Sequence, residues 1–235
     1  MTEHKDSYTS IFENKFLSWL RELHNKYNVS TSCYVFYRSG AFDLSKCTCI
    51  FADEFAKNSD WLKFGFHAFE SGIIYNSHCE RNILEDYNLT LEALLKITGG
   101  RKSITDIIRL HCYSGTREQI KSLVESKNFP LRGLLCADDR RKNYYLNDFQ
   151  NEYIYSHDYL RDDLMRIDLY ATDLRAEFIK SISRKIREFG SPSWNNQLDI
   201  LSLFSHEWLL NKRVRKIIET LCEYARSNNY DAFNL

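Results

Sequence analysis

Residues 107–137, IIRLHCYSGTREQIKSLVESKNFPLRGLLCA, indicate the fold class. The stretch begins with a strand-like apolar run from Ile107 to Tyr113 and ends with a second one from Leu134 to Ala137. Between them, Thr116-x-x-Gln119 has the spacing of a capping box ahead of a helix. A helix between two short apolar strands is typical of parallel βα units, so we predict an α/β fold.

The alternation of helix and strand extends to both sides of this stretch. Helices are expected over about residues 10–27, 79–98, 174–189 and 211–228, and strands over about 32–37, 61–67 and 200–205. The tyrosine-rich segment 143–173 alternates in a way that predicts an inserted antiparallel hairpin. Because 235 residues suffice for one core and no Ser/Gly linker interrupts them, we expect one domain over residues 1–235.

Charge and cysteine usage restrict the class of partner and compartment. Lys plus Arg and Asp plus Glu both number 32, so no net field attracts nucleic acid or an anionic membrane. No long apolar run predicts a membrane span, and the polar N-terminus is not typical of a signal peptide. The seven cysteines lack metal-ligand spacing, which indicates reduced thiols. We therefore expect a cytoplasmic protein whose partner is neither nucleic acid nor a membrane.

Three of the seven histidines stand at or near the C-terminal end of a short apolar run. They are His67 in WLKFGFHAF, His111 in DIIRLHCYSG and His206 in ILSLFSHEW. The carboxyl ends of parallel strands share one rim, and ligands bind there in α/β proteins. The three imidazoles are therefore expected to converge on one site.

Such a set of side chains is suited to metal-assisted hydrolysis. Neutral imidazoles and one carboxylate hold Zn²⁺ with one position left for water. His67, His111 and Asp138 are the predicted metal ligands, and Asp138 is also the first choice for the catalytic base. His206 is either a fourth ligand or the proton donor to the leaving group. A histidine at a strand end is also often a hydrogen-bonded structural group, and that alternative stays open for each of them.

Further polar residues are candidates for contact with substrate. Arg175 could bind an anionic substrate group through its planar guanidinium, or it could be a charge on a helix surface. Asp173 could face the substrate, although it also stands where the N-cap of the helix over 174–189 would be. Tyr113, at the end of the strand-like run from Ile107, completes the predicted substrate-binding residues.

Three segments resemble motifs of the polysaccharide deacetylase superfamily, the NodB-like carbohydrate esterases, and in particular a short intracellular branch of it. Phe64-Gly65-Phe66-His67 is similar to the second motif, whose histidine binds the metal. The run from Ile108 to Tyr113 is similar to the arginine-bearing third motif, and Leu203-Phe204-Ser205-His206 to the last motif, whose histidine is the general acid. Over about residues 28–231, the resemblance implies a distorted (β/α)7-type barrel and a divalent metal, with zinc expected.

The chain departs from the motifs of that family at two places. The family's first strand ends in two aspartates, whereas this one reads Tyr34-Val35-Phe36-Tyr37-Arg38, and Ser71 stands where the second motif has another histidine. His111 and Asp138 are our candidates to replace the missing ligands. The resemblance implies that Arg109 orients an active-site carboxylate; an interior ion pair without a catalytic part is the alternative.

Two functions of different classes follow from these observations. The first is a metal-dependent deacetylase-like hydrolase acting on an N-acylated sugar or sugar conjugate, in surface polysaccharide biosynthesis. The second is a catalytically inactive barrel that serves as a carbohydrate- or protein-binding scaffold. The missing paired aspartates favour the scaffold, whereas His67, His111 and Asp138 on one rim favour the enzyme.

Overall fold

Short strands and seven α-helices make up the described part of the chain. A computed structural model describes residues 7–137, 141–172, 174–189 and 201–232. The strands are β1 (Thr31–Phe36), β2 (Arg38–Ser39), β3 (Phe42–Asp43), β4 (Leu62–Ala68), β5 (Ile107–Ile108), β6 (Gly133–Ala137), β7 (Tyr159–Asp162), β8 (Ile167–Thr172), β9 (Leu174–Arg175) and β10 (Leu203–Phe204). The α-helices are α1 (Lys15–Tyr27), α2 (Ala52–Lys57), α3 (Ile83–Thr98), α4 (Arg117–Val124), α5 (Asp148–His157), α6 (Ile182–Glu188) and α7 (Lys212–Ser227).

The largest sheet has four strands in the order β5-β6-β8-β7. Strands β5, β6 and β8 are parallel, and β7 pairs antiparallel with β8. A parallel pair, β1 and β4, adjoins this sheet through a bridge between Phe64 and Ile104 and a 2.9 Å hydrogen bond from the Thr105 N–H to the Phe64 carbonyl. Strands β9 and β10 form a separate parallel pair, and β2 and β3 form a small hairpin.

The prediction of a distorted (β/α)7-type barrel is wrong. The described residues form an α/β structure with sheets of two to four strands and no closed barrel. Strand β7 occupies the outer edge of β8 in antiparallel orientation, so a following parallel strand has no free edge there. Strands β9 and β10, of two residues each, pair with one another instead.

Local capping signals explain the helices that were placed correctly. Helix α4 begins at the Thr116–Gln119 capping box, in which each side chain bonds the backbone N–H of the other residue. Helix α3 ends at Gly99, which has φ of 74° and donates its N–H to the Leu95 carbonyl. The Asn211 side chain caps α7, close to the predicted start of the last helix.

Two elements next to the site differ from their predictions. The strand beginning at Ile107 ends at Ile108, because the carbonyl of Leu135 on β6 accepts a hydrogen bond from the Tyr144 hydroxyl (2.5 Å) where a longer β5 would pair. The helix over 174–189 is instead β9, a 3-10 turn over 176–178 and α6, which Ser181 caps. Asp173, predicted as the N-cap, lies outside the described residues.

The tyrosine-rich segment contains a helix that its alternating pattern did not indicate. Helix α5 begins at a capping box formed by Asn147 and Gln150 and precedes the antiparallel pair β7 and β8. One hydrophobic core runs from Ile11 near the start of the described chain to Cys222 in α7. Among the described residues, no helix is long and apolar enough to cross a membrane.

Candidate functional site

A cleft of about 670 Å³ lies where β4, β6, β8 and β10 end. Six of the eight residues predicted for the site line it: His67, Arg109, His111, Tyr113, Arg175 and His206. The other two, Asp138 and Asp173, lie outside the described residues.

His67 is buried near the end of β4, and its tautomer follows from its neighbour. Its Nδ1 lies 2.5 Å from the Arg109 carbonyl oxygen. Because a carbonyl only accepts, Nδ1 carries the hydrogen and Nε2 keeps its lone pair. Burial, and after it the positive charge of Arg109, lower the pKa of His67 to about 3. The ring is therefore a neutral imidazole at physiological pH.

His111 is oriented in the same way from a different element. It lies in the 3-10 turn that follows β5, and its Nδ1 is 3.0 Å from the Ile73 carbonyl oxygen. Its ring centroid is 5.3 Å from that of His67, and the Phe36 ring contacts both imidazoles, at 4.9 Å from His67 and 5.5 Å from His111. In both histidines Nδ1–H donates to a backbone carbonyl, so Nε2 is the ring nitrogen that is not used by this hydrogen bond.

His206 is held by a carboxylate rather than a carbonyl. Its Nδ1 lies 2.9 Å from Oε1 of Glu177, and its backbone N–H donates to the same oxygen at 2.6 Å. The Ser205 hydroxyl also donates to Oε1, at 3.2 Å. A carboxylate that orients one imidazole nitrogen leaves the other for acid–base chemistry. In this cleft, Nε2 of His206 is that nitrogen.

Glu177 is the functional candidate that the sequence reasoning missed. Burial raises the pKa of this carboxyl, but the hydrogen bonds from the His206 ring and backbone outweigh that effect and lower it to about 2. Its side chain is 7% exposed, and Oε2 accepts a 3.3 Å hydrogen bond from Nε of Arg175. The helix predicted over 174–189 would place Arg175 and Glu177 on different faces, so the sequence did not bring them together. In an extended chain, residues 175 and 177 would have pointed to the same face.

Arg109 and Tyr113 contact each other in the lining of the cleft. The Arg109 guanidinium is 4.8 Å from the Phe204 ring centroid and 3.4 Å from the Tyr113 hydroxyl. That hydroxyl is 3.3 Å from Oγ1 of Thr172, which donates to the Cys136 carbonyl at 2.6 Å. Among the described residues no carboxylate pairs with Arg109, and Asp138, the candidate active-site carboxylate, lies outside them, so the role of Arg109 stays a prediction.

Arg175 lies in the interior of the cleft rather than on a helix surface. Its guanidinium is 4.0 Å from the Phe178 ring centroid and 5.9 Å from that of Phe204. One edge bonds Glu177 through Nε, and the terminal Nη2 is 3.5 Å from Nδ1 of His206. Arg175 therefore positions Glu177 and lines the cleft beside His206.

The described residues fit the expected metal in part. His67 and His111, each with Nδ1 bonded to a backbone carbonyl, have the outer hydrogen bonds that metal-bound histidines usually have. Their ring separation suits ligation of one ion, because a zinc–nitrogen bond is about 2.1 Å. Within the described ranges, however, no three His, Cys, Asp or Glu side chains are grouped so that they could hold a metal ion.

No protein-family model, curated protein or solved structure matches the chain.

Proposed function

We propose that the protein is a hydrolase that removes an acyl group from an N-acylated sugar or sugar conjugate. The hydrogen-bonded pair of His206 and Glu177 in a large cleft carries this proposal. A histidine whose Nδ1–H bonds a carboxylate has a defined tautomer, and the carboxylate stabilises the imidazolium that forms during proton transfer.

His206 acts as the general acid in this mechanism. A water oxygen adds to the acyl carbonyl carbon and gives one proton to a base, for which Asp138 is our candidate; the bond from that carbon to the sugar nitrogen then breaks, and the acyl group leaves as the carboxylic acid. The sugar nitrogen takes a proton from Nε2 of the His206 imidazolium and departs as the amine, and the proton held by the base returns to Nε2. Glu177 is the positioning residue, since it fixes the ring through the 2.9 Å bond to Nδ1.

A divalent metal, zinc being our first choice, would be held by Nε2 of His67 and Nε2 of His111. When bound, such an ion polarises a carbonyl and lowers the pKa of a bound water to about 7. Burial keeps His67 neutral, as a metal ligand must be, and Asp138 remains the candidate for the third ligand.

The apolar part of the cleft suits a sugar ring. Phe36, Tyr113, Phe204 and Trp208 line it together with the catalytic histidine. Aromatic faces stack on the C–H face of a pyranose while polar groups bond its hydroxyls. The motifs around His67 and His206 that resemble polysaccharide deacetylases support the same substrate class.

The proposal is tested by acetate release from N-acetylated hexosamines, neutral and phosphorylated, after chelation and after zinc addition. Wild type should release acetate in the zinc-loaded form, and His206→Asn should lower the rate by at least about 10²-fold, because the general acid is lost. Glu177→Gln should lower the rate less and shift its pH profile. Zinc content should fall in His67→Gln.

His157→Asn is the matched control, because this exposed histidine on α5 lies outside the cleft lining. It should retain the wild-type rate. If wild type binds a sugar but releases no acetate with or without zinc, the protein is a binding protein and the hydrolase proposal is wrong. An unchanged rate in His206→Asn would reject His206 as the acid.

A further inference from the structure

The cleft is strongly basic although the chain as a whole is neutral. Among the described residues that line it, one is acidic, Glu188, and six are basic: Arg109, Arg141, Arg175, Lys180, Arg184 and Lys185. Including Glu177 behind Arg175, six positive charges face two negative ones. With 32 basic and 32 acidic residues in the chain, this excess is a local property of the cleft.

Both acidic residues, Glu177 and Glu188, form ion pairs with neighbouring side chains. Glu188 lies on α6 beside Arg184 and Lys185, at 3.2 Å and 3.5 Å. Glu177 is shared between His206 and Nε of Arg175. Both acidic groups therefore offset charge at the α6 side of the cleft and behind Arg175, and among the described residues neither pairs with Arg109.

Arg109 is half-buried, and its guanidinium has only aromatic and hydroxyl partners among the described residues. The guanidinium contacts Phe204 and Tyr113, whose ring centroids are 4.8 Å and 5.5 Å away. Removing a cation from water without an anionic partner is costly, and a ligand anion would offset that cost.

Arg175 and Arg109 both lie beside the Phe204 ring, which is called the Phe204 platform below. Both guanidinium groups are within 6 Å of the Phe204 ring centroid, at 4.8 Å and 5.9 Å. Planar guanidinium groups bind oxyanions with paired N–H donors, and stacking on aromatic rings holds their planes in place.

We infer that the cleft binds a sugar that carries an oxyanion, phosphate or carboxylate, between Arg109 and Arg175. This inference rests on the proposed function for the sugar, and it adds the charged class of substrate. The oxyanion would bond the guanidinium groups on the Phe204 platform, and the acylated nitrogen would lie toward His206.

Equilibrium binding tests this inference without requiring turnover. The probes are N-acetylglucosamine 1-phosphate, glucuronate, inorganic pyrophosphate and neutral N-acetylglucosamine, titrated calorimetrically into the zinc-loaded protein. We expect the phosphorylated sugar to bind at least about tenfold more tightly than the neutral one, since a charge-assisted hydrogen bond is worth about 1.5–3 kcal/mol. Tight binding of glucuronate alone would identify the oxyanion as a carboxylate.

Arg109→Met keeps an apolar side chain against Phe204 and should abolish the preference for the anionic sugar. Arg187→Gln is the control, because this exposed arginine of α6 has the same charge and lies outside the cleft lining; it should keep the preference. In wild type, raising NaCl should weaken binding of the anionic sugar and leave the neutral one unchanged. This salt arm needs no variant.

Equal affinity for neutral and anionic sugars in wild type would overturn the inference, as would a preference that survives in Arg109→Met. Acetate release from neutral sugars without any anion preference would leave the hydrolase proposal intact and reject this one. Anion preference without acetate release would do the reverse.

Discussion

His67 combines burial with an ionisable ring, and this gives the protein a calculable response to acid. The unfolded histidine has a pKa near 6.5, whereas burial lowers the folded value to about 3. Between these values the unfolded state binds a proton that the folded state does not, so the free energy of unfolding falls as the pH falls.

We predict a loss of roughly 2 kcal/mol in the free energy of unfolding between pH 6.5 and 4.5 because of this one group. Urea denaturation across that range measures it. The range lies above the unfolded pKa of Glu177, 4.5, whose lowered folded pKa adds acid sensitivity only below it.

His67→Gln should flatten this slope, because the glutamine amide can still donate to the Arg109 carbonyl and does not titrate. His157→Gln, which removes an exposed histidine, should keep the wild-type slope. Equal slopes in wild type and His67→Gln would contradict the burial argument.

At the scale of an element, the C-terminus of α3 depends on Gly99. This residue has φ of 74°, and a Cβ there would lie 2.5 Å from the Ala52 carbonyl oxygen at the start of α2. Gly99→Ala would therefore add a backbone clash to the cost of left-handed geometry. We expect a loss of about 3 kcal/mol in the free energy of unfolding, measured in urea.

Gly40 supplies the control for that substitution. It has φ of 56° between β2 and β3, and a Cβ there would meet open space. Gly40→Ala should cost only about 1 kcal/mol, the cost of the left-handed backbone alone. If both substitutions cost the same, the close approach of α3 and α2 does not constrain the fold.

Elements that depend on neighbours within one turn could be predicted from the sequence. The Thr116–Gln119 capping box and the helix end at Gly99 depend on contacts between residues three or four positions apart, so they can be predicted from the sequence. The end of β5 could not be predicted, because it depends on Tyr144, which reaches Leu135 from further along the chain.

The same reasoning explains which parts of the site were predictable. His67, His111 and His206 were found because each follows an apolar run, and all three do line one cleft. Glu177 was missed because a helix was expected over 174–189, and that periodicity separates it from Arg175. Glu177 and His206 are 29 residues apart in the sequence, so no local sequence pattern predicts that they pair.

At the scale of the whole molecule, closure of the sheet was beyond sequence reasoning. Runs of alternating helix and strand are compatible with a barrel and with an open sheet. Strand β7 decides between them because it pairs with the outer edge of β8. Its direction follows from the four-residue connection after Asp162, whereas its position at the sheet edge is a tertiary property.

Helices α1 and α7 join both halves of the described chain in one hydrophobic core. Leu221 of α7 is 1% exposed within it, and the Arg226 guanidinium donates to the Lys26 carbonyl of α1. We predict that Leu221→Ala lowers the free energy of unfolding by about 2–4 kcal/mol. Circular dichroism and tryptophan fluorescence should show coincident transitions in both proteins.

Leu164→Ala is the control for the core substitution, since this side chain is 87% exposed. It should change the free energy of unfolding by less than about 0.5 kcal/mol. Separate transitions by the two probes would show that the core does not unfold as one unit.

The fluorescence of Trp208 can report whether a ligand occupies the cleft. The indole is 72% exposed, lines the cleft and lies 4.8 Å from the imidazole of His206. Trp19 and Trp61, by contrast, are buried in the core, away from the cleft lining. A ligand that covers the indole or changes the charge on the imidazole alters the emission of Trp208, so intrinsic fluorescence can follow binding without a label.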